Sequence, residues 1–211
     1  IRKAVGYVFT IHIPIAFASL LAPILGIAPS ALFLLPLHVV LLELVIDPTC
    51  SIVLERQPAE TDIMDRKPRN PKEKIVNAKR LLKSVLQGVT IFAASFTTYF
   101  ITLDGNPENA PVARAMGLAI IMLSNVLLVQ VNSSDHDFAI QSIFRLAKDA
   151  IMWLVDIVTI LGLIIILYTP LSGFLQLAPL SVRQIGIVVI VSAIAVLWYE
   201  IVKAVRWFRS K

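Results

Sequence analysis

Charged residues and cysteines are both scarce in this sequence, and each shortage removes a class of protein. Only 16% of the 211 residues are charged, against about a quarter in a typical soluble domain. Hydrophobic residues make up 57% of the chain, which is more than the core of one soluble domain can bury. Cys50 is the single cysteine, so no disulfide framework holds the fold. The composition indicates a protein that uses lipid as a second solvent.

The sequence also gives no indication of a cleavable leader. The sequence begins at Ile1 and shows no basic segment followed by a short apolar core and a cleavage site, so we expect a piece of a longer protein. The net charge of +5 does not indicate nucleic acid, because the basic residues cluster at the ends of apolar runs. Nucleic acid is therefore not an expected partner.

Six apolar runs are each close to the roughly 20 residues that cross a bilayer as a helix. They are not alternating ten-residue segments, which excludes a membrane β-barrel pattern. The sequence predicts an all-α membrane protein, a single domain over 1–211 built as a bundle of six transmembrane helices in contact with a lipid bilayer. The predicted helices cover about 5–25, 31–54, 85–103, 112–131, 150–168 and 185–202.

The distribution of lysine and arginine predicts the orientation. The connection 55–84 carries nine basic residues, and both chain ends are basic as well. The connections GIAPS, DGNPENAP and TPLSGFLQLAPLSVRQ are nearly free of positive charge. The positive-inside rule then places both termini and the basic connection 55–84 in the cytoplasm.

Two carboxylates in the second apolar run are the most informative residues. Glu43 and Asp47 are four residues apart, so they share one helix face, where like charges repel. A cation between them makes this arrangement favourable, because carboxylates are good ligands for metal ions. Pro48 has no amide hydrogen and leaves the carbonyl of Leu44 free as a further oxygen ligand. The alternative is a pair of protonated acids that hydrogen-bond to neighbouring helices.

The first run supplies a second candidate ligand and a second predicted break. Pro14 frees the carbonyl of Thr10, and His12 lies close by at bilayer depth. The connection GIAPS is so short that the first two helices are antiparallel neighbours, which brings His12 within reach of the Glu43 face. Asn125 of the fourth run is either a ligand or an ordinary polar contact between helices.

Other polar residues of the runs are assigned no role in a site. Arg114 lies near a helix end, where its long side chain is expected to reach the membrane interface. Asp156 lies a turn or two from its helix end, within reach of water, and is interpreted as structural. His38 lies off the Glu43 face.

The segment LPLHVVLLELVIDPTCSIVLERQPAETDIMDRKPRNPKEKI, which spans 35–75, resembles the sixth membrane helix and following loop of the P-type cation-transporting ATPases, in their calcium-pump-like branch. The family has an acidic or amide residue four positions before an aspartate in that helix, and then an aspartate-isoleucine-methionine run with basic residues and prolines, here DIMDRKPR. The six runs together resemble the family's fifth to tenth membrane helices, so the resemblance covers nearly the whole chain.

This resemblance implies the ion-translocating part of an ATP-driven pump. The family's phosphorylated DKTGT motif does not occur in this sequence, so the chain alone is expected to be non-catalytic and to carry no cofactor. ATP and magnesium would bind in the missing actuator, phosphorylation and nucleotide-binding domains, which would be partners together with the first four membrane helices. By resemblance, Glu43 and Asp47 match ligands of the sixth helix, His12 a ligand of the fifth and Asn125 a ligand of the eighth. The implied location is a multi-pass membrane protein, in a prokaryotic plasma membrane rather than an organelle.

Three departures from the family pattern bear on the ion. Ile15 stands where calcium pumps carry a glutamate, Ile46 replaces a threonine and Pro48 replaces a glycine. Fewer oxygen ligands and an added imidazole suit a transition metal or a proton better than two calcium ions. A self-contained six-helix channel or secondary transporter, and a non-transporting scaffold, are the alternative functions.

Overall fold

The computed structural model describes residues 2–54, 78–132 and 150–209, and the chain is helical through nearly all of them. No described residue lies in a strand, and six helical segments are long and apolar enough to cross a membrane. The prediction of an all-α, six-span membrane protein is therefore confirmed. The long helices are α1 (Arg2–Ile24), α2 (Pro36–Pro48), α3 (Ala78–Leu103), α4 (Ala110–Asn132), α5 (Ala150–Tyr168) and α6 (Val182–Arg209).

The predicted basic connection 55–84 is only partly described. Residues 55–77 lie outside the described part of the chain, as do residues 133–149 between α4 and α5. Residues 78–84 form the first turns of α3. Short 3-10 helices at Pro29–Ala31 and Pro107–Asn109 precede α2 and α4, and a four-residue helix, Leu171–Phe174, precedes α6.

The two prolines in the first two spans act differently. Helix α1 continues through Pro14, so the break predicted there does not form. Helix α2 ends at Pro48, and the chain continues as a π-helix over Thr49–Leu54. The hydroxyl of Thr49 donates to the carbonyl of Val45 at 3.0 Å, which satisfies one acceptor that the proline disturbs. A π-helical turn inside a helix is frequently found at functional sites.

Helix α4 is the centre of the bundle. Within its span 78% of the residues are buried, whereas the other five spans are 22–39% buried. It contacts each of the other five long helices, most extensively α3 and α6. Many of its buried positions are small, including Ala113, Ala115, Gly117 and Ala119, which allows neighbouring helices to approach closely.

Polar contacts fix the two ends of the bundle. At the end with Lys83 and Lys203, here called the basic end, Gln87 of α3 and Asn132 of α4 exchange amide hydrogen bonds of 3.3 and 3.2 Å. The ammonium of Lys203 donates to the carbonyl of Val131 at 2.7 Å. The opposite end, here called the loop end, contains the connections 25–35, 104–109 and 169–181. This frame of α3, α4 and α6 supports α1 and α2, which carry the candidate site.

Candidate cation site on the first two helices

The structure brings His12 of α1 and Glu43 of α2 into direct contact. The Nε2 atom of His12 lies 3.3 Å from Oε1 of Glu43. His12 is near the middle of its span, Ala4–Leu21, so the contact lies deep within the apolar part of the helices. The short connection predicted that α1 and α2 are antiparallel neighbours, and this arrangement allows the contact.

A second contact fixes which nitrogen of His12 carries a proton. The Nδ1 atom lies 2.8 Å from the carbonyl oxygen of Val8, one turn earlier in α1. A carbonyl oxygen only accepts hydrogen bonds, so Nδ1 is the donor in this contact. In the neutral ring, Nε2 then presents a lone pair to the Glu43 carboxylate, which is also an acceptor when it is ionised. Two acceptors at 3.3 Å need a cation, either a proton or a metal ion, between them.

The His12–Glu43 pair is not enclosed by the described helices. The two side chains are 45% and 37% exposed, respectively. Around them, large apolar side chains such as Phe9, Val40 and Leu44 are also exposed. A polar pair at bilayer depth is costly against lipid and is normally turned toward protein or a water-filled cavity. The open face of α1 and α2 is therefore the side on which further protein is needed.

Asp47 is placed by its backbone. It lies in α2 one turn after Glu43, so the two residues share a helix face as the spacing predicted. The side chain of Asp47 lies outside the described part of the structure, and its role as a ligand stays a prediction. Pro48 has no amide to pair with the carbonyl of Leu44, which therefore lacks the usual helical donor.

The carbonyl of Thr10 faces α3 and not α2. A methyl group built on Gly88 of α3 would come within 2.6 Å of this oxygen and 2.7 Å of the Ile13 Cβ atom. The oxygen that Pro14 leaves without a helical donor thus faces the backbone of α3. Its role as a possible cation ligand is untested, and the geometry instead makes it a contact between α1 and α3.

Asn125 is a buried amide that lacks hydrogen-bond partners. It is 2% exposed, and among the described residues neither Nδ2 nor Oδ1 has a partner. It lies three turns from Arg114 and two turns from Asn132 on the same face of α4, the face that contacts the α1–α2 connection and α3. An unsatisfied buried amide costs free energy unless a ligand bonds to it. Its assignment as a ligand remains a prediction.

The expectation that the Arg114 side chain reaches the membrane interface is wrong. Its side chain is 2% exposed and does not reach an interface. The guanidinium donates to the carbonyl oxygens of Leu32 at 2.8 Å and Ser30 at 2.5 Å, and to Oε1 of Gln176 at 3.2 Å. The burial reflects a folded connection, rich in free carbonyls, that covers this end of α4. The position of Arg114 along the helix did not by itself predict this burial.

Two further polar residues also have defined partners. His38, to which the sequence gave no role, is fully buried and its Nε2 atom lies 2.7 Å from the carbonyl of Leu175. Asp156, expected within reach of water, is only 6% exposed and accepts a hydrogen bond of 3.2 Å from Gln130. Gln130 lies on the face of α4 away from Asn125, so this contact is separate from the His12–Glu43 pair.

Comparison with known proteins matches this architecture. The family model described as "Cation transporting ATPase, C-terminus" matches residues 31–205. The calcium-transporting ATPase of Bacillus subtilis (strain 168) is 27% identical over 197 residues, which cover 92% of this chain and 21% of the relative. Calcium-transporting ATPase 1 of Bacillus cereus (strain ATCC 10987 / NRS 248) is 25% identical over 219 residues, or 98% of this chain and 24% of the relative.

A eukaryotic relative matches a shorter part. The alpha-1 subunit of the sodium/potassium-transporting ATPase of Oreochromis mossambicus is 35% identical over 116 residues, which cover 50% of this chain and 10% of the relative. The chain thus spans about a quarter or less of the length of the curated relatives it matches. With six membrane spans and a family match over most of its length, the chain belongs to the C-terminal membrane domain family of the P-type cation-transporting ATPases.

Proposed function

We propose that this chain is the ion-translocating membrane domain of an ATP-driven cation pump and that His12 and Glu43 bind the transported ion. The observation that carries the proposal is the Nε2 atom of His12 facing a Glu43 carboxylate oxygen at 3.3 Å in the middle of two antiparallel spans. Asp47, one turn further along α2, and the buried amide of Asn125 are the additional ligands.

The donor set favours a divalent transition metal over calcium. Calcium takes six to eight oxygen ligands, whereas imidazole nitrogen suits zinc, iron, copper or nickel, and the carboxylates also suit manganese. Ile46, buried at 2% exposure between Glu43 and Asp47, contributes no oxygen to the site. The relatives named calcium-transporting ATPases support cation transport.

The exposure of the His12–Glu43 pair supports additional membrane helices beyond this sequence. We infer that helices from the missing part of the same protein cover the open face of α1 and α2. ATP and magnesium bind in cytoplasmic domains that are also outside this sequence, since the DKTGT motif does not occur in it. Both termini and the basic connection are cytoplasmic on this proposal, and the relatives from Bacillus favour a prokaryotic plasma membrane.

Transport by the full-length protein in lipid vesicles tests the proposal. We expect uptake of manganese or zinc that requires ATP, and we expect Glu43→Gln to reduce it by at least about a hundredfold because a ligand charge is lost from a membrane site. Glu108→Gln is the matched control, since Glu108 is an exposed residue at the loop end.

Three results would count against the proposal. Equal ATP-driven uptake by wild type and Glu43→Gln would remove the His12–Glu43 pair from the transport site. Ion flux without ATP would support the alternative of a channel or secondary transporter. Uptake of protons alone would retain the pump and reject the metal.

A further inference from the structure

The connection between α1 and α2 is held by side chains of two other helices, α3 and α4. Arg114 of α4 binds the carbonyl oxygens of Ser30 and Leu32. The hydroxyl of Tyr99 in α3 donates to the carbonyl of Ala31, which lies between them. Three successive backbone acceptors of this connection are therefore satisfied by side chains of the supporting frame.

Apolar packing fixes the same connection. Phe33 is 2% exposed, and its ring lies 5.1 Å from that of Tyr99 and 5.8 Å from that of Phe96. A methyl group built on Gly117 of α4 would lie 2.2 Å from an atom of the Phe33 ring. Gly117 is one turn after Arg114, so the polar and apolar contacts are neighbours on one face of α4.

The start of α2 is also tied down. His38 accepts from the backbone amide of Leu35 at 3.2 Å through Nδ1, so its Nε2 atom carries the proton that is donated to Leu175. Leu175 belongs to the α5–α6 connection, and Arg114 donates to the next residue of that connection, Gln176. The bonds of Arg114, Tyr99 and His38, here called the loop clamp, therefore join the α1–α2 hairpin to α3, α4 and the α5–α6 connection.

The far end of α2 is built differently from this clamped end. Pro48 interrupts its hydrogen bonding and a π-helix follows. Along its length, Val40 and Leu44 are 64% and 70% exposed, so one face of α2 has no covering among the described helices. Because α2 is fixed at one end, interrupted at the other and open along one face, it can turn about its fixed end.

Arg114 is chemically suited to act as that fixed end. Its guanidinium is always charged and offers several donors in one plane, which lysine cannot reproduce. Burying this charge is costly, and only well-formed bonds to several acceptors offset that cost. The guanidinium donates to three oxygens, all of them in connections at the loop end. Its buried charge is therefore committed to holding those connections.

We propose that Arg114 is a positioning residue for the cation site: by holding the α1–α2 connection, it sets where Glu43 lies relative to His12 and provides the pivot about which α2 moves during transport. This inference rests on the proposed function, because it concerns the same His12–Glu43 pair. Arg114 itself does not contact the ion. Glu43 lies about two turns after the start of α2 at Pro36, so a small rotation at the connection changes its 3.3 Å separation from His12.

A position measurement that does not involve the ion provides the first part of the test. Ser19 of α1 and Val39 of α2 line one cavity of about 580 Å³ between these helices. In the full-length pump with other cysteines replaced, Ser19→Cys and Val39→Cys are joined by a short bifunctional thiol reagent. We expect Arg114→Gln to lower the cross-linking yield by about fivefold or more, because the hairpin loses its fixed position.

Cation dependence provides the second part. We expect Arg114→Gln to raise the cation concentration for half-maximal ATP hydrolysis by about tenfold, with a smaller change in the maximal rate, since binding geometry is lost before chemistry. Arg114→Lys should give a half-maximal cation concentration between those of wild type and Arg114→Gln, because lysine keeps the charge and loses the planar fork. Arg183→Gln is the matched control, as an exposed arginine at the same end of the bundle. It should match wild type in both measurements.

Specific outcomes overturn the inference. An unchanged cross-linking yield in folded Arg114→Gln shows that the clamp does not position the hairpin. A lower yield with unchanged cation dependence shows that the hairpin does not set the site. If Arg114→Gln does not accumulate, Arg114→Lys decides, since it keeps the charge and loses the planar fork, and an unchanged yield there rejects the clamp. Because the cross-linking yield does not depend on ion binding, failure of the clamp and failure of the proposed function are distinguishable.

Discussion

Single hydrogen bonds determine what the key side chains can do. The bond from His12 to the Val8 carbonyl orients the imidazole so that its other nitrogen faces Glu43. The sequence predicted that the two residues meet, because a short connection makes their helices neighbours. It did not predict the ring orientation, which depends on a backbone oxygen one turn away. For Arg114, the position near a helix end suggested an interface, but the carbonyls of a packed connection bury it.

The close approach of α1 to α3 depends on one glycine. Gly88→Ala would place a methyl group within 2.6 Å of the Thr10 carbonyl and 2.7 Å of Ile13, so one of the helices must shift. We expect a loss of about 1–3 kcal/mol in stability, seen as a lower thermal inactivation temperature of the full-length protein in detergent.

Gly162→Ala is the matched control for that change. No atom lies within 4 Å of a methyl group at Gly162, which is also inside a helix. Alanine should raise stability there by up to about 1 kcal/mol through its helix propensity. If the two variants have equal inactivation temperatures, the contact at Gly88 is not tight.

At the scale of a helix, α1 and α2 show that a proline does not have one fixed effect. Both prolines remove a helical hydrogen bond, and the sequence therefore predicted a break at each. Helix α1 remains continuous at Pro14, where the free carbonyl of Thr10 packs against Gly88 of α3. Helix α2 changes to a π-helix after Pro48, where Thr49, Val53 and Leu54 are buried against neighbouring helices. Tertiary packing, which one sequence does not display, decides between the two outcomes.

Replacing each proline tests whether the Leu44 carbonyl helps to bind the ion. Pro48→Ala restores an amide that pairs with this carbonyl, so we expect a more stable helix and about a tenfold higher cation concentration for half-maximal ATP hydrolysis. Pro14→Ala is the control, since the Thr10 carbonyl faces α3, and it should leave cation dependence unchanged. Unchanged cation dependence in Pro48→Ala would remove the Leu44 carbonyl from the site.

At the scale of the whole molecule, the number of spans was predictable and their arrangement was not. Long apolar runs identify six helices because length and hydropathy are set by the bilayer. They do not show which helix is central, since lipid-facing and protein-facing residues are both apolar. The span of α4 is the most buried, yet its mean hydropathy of 2.0 is lower than the 2.7 of α5. The small residues of α4 are the signal in the sequence that indicates its central position.

Different helices provide the support and the candidate site within the bundle. Helices α3, α4 and α6 form a frame with bonds at both ends, such as the Gln87–Asn132 pair and the contacts of Arg114. Helices α1 and α2 pack against this frame and hold His12 and Glu43 on their open side. Anchoring at the loop end and an interruption near the basic end suit α2 to move relative to this frame.

Equilibrium binding of a metal ion to the full-length protein, without ATP, tests the central claim most directly. Calorimetric titration with manganese or zinc should show binding in the wild type and in Glu108→Gln. His12→Gln and Glu43→Gln should each weaken that binding by at least about tenfold, because each removes one of the two facing ligand atoms. Wild-type affinity in both variants would contradict the claim that the His12–Glu43 pair holds the transported cation.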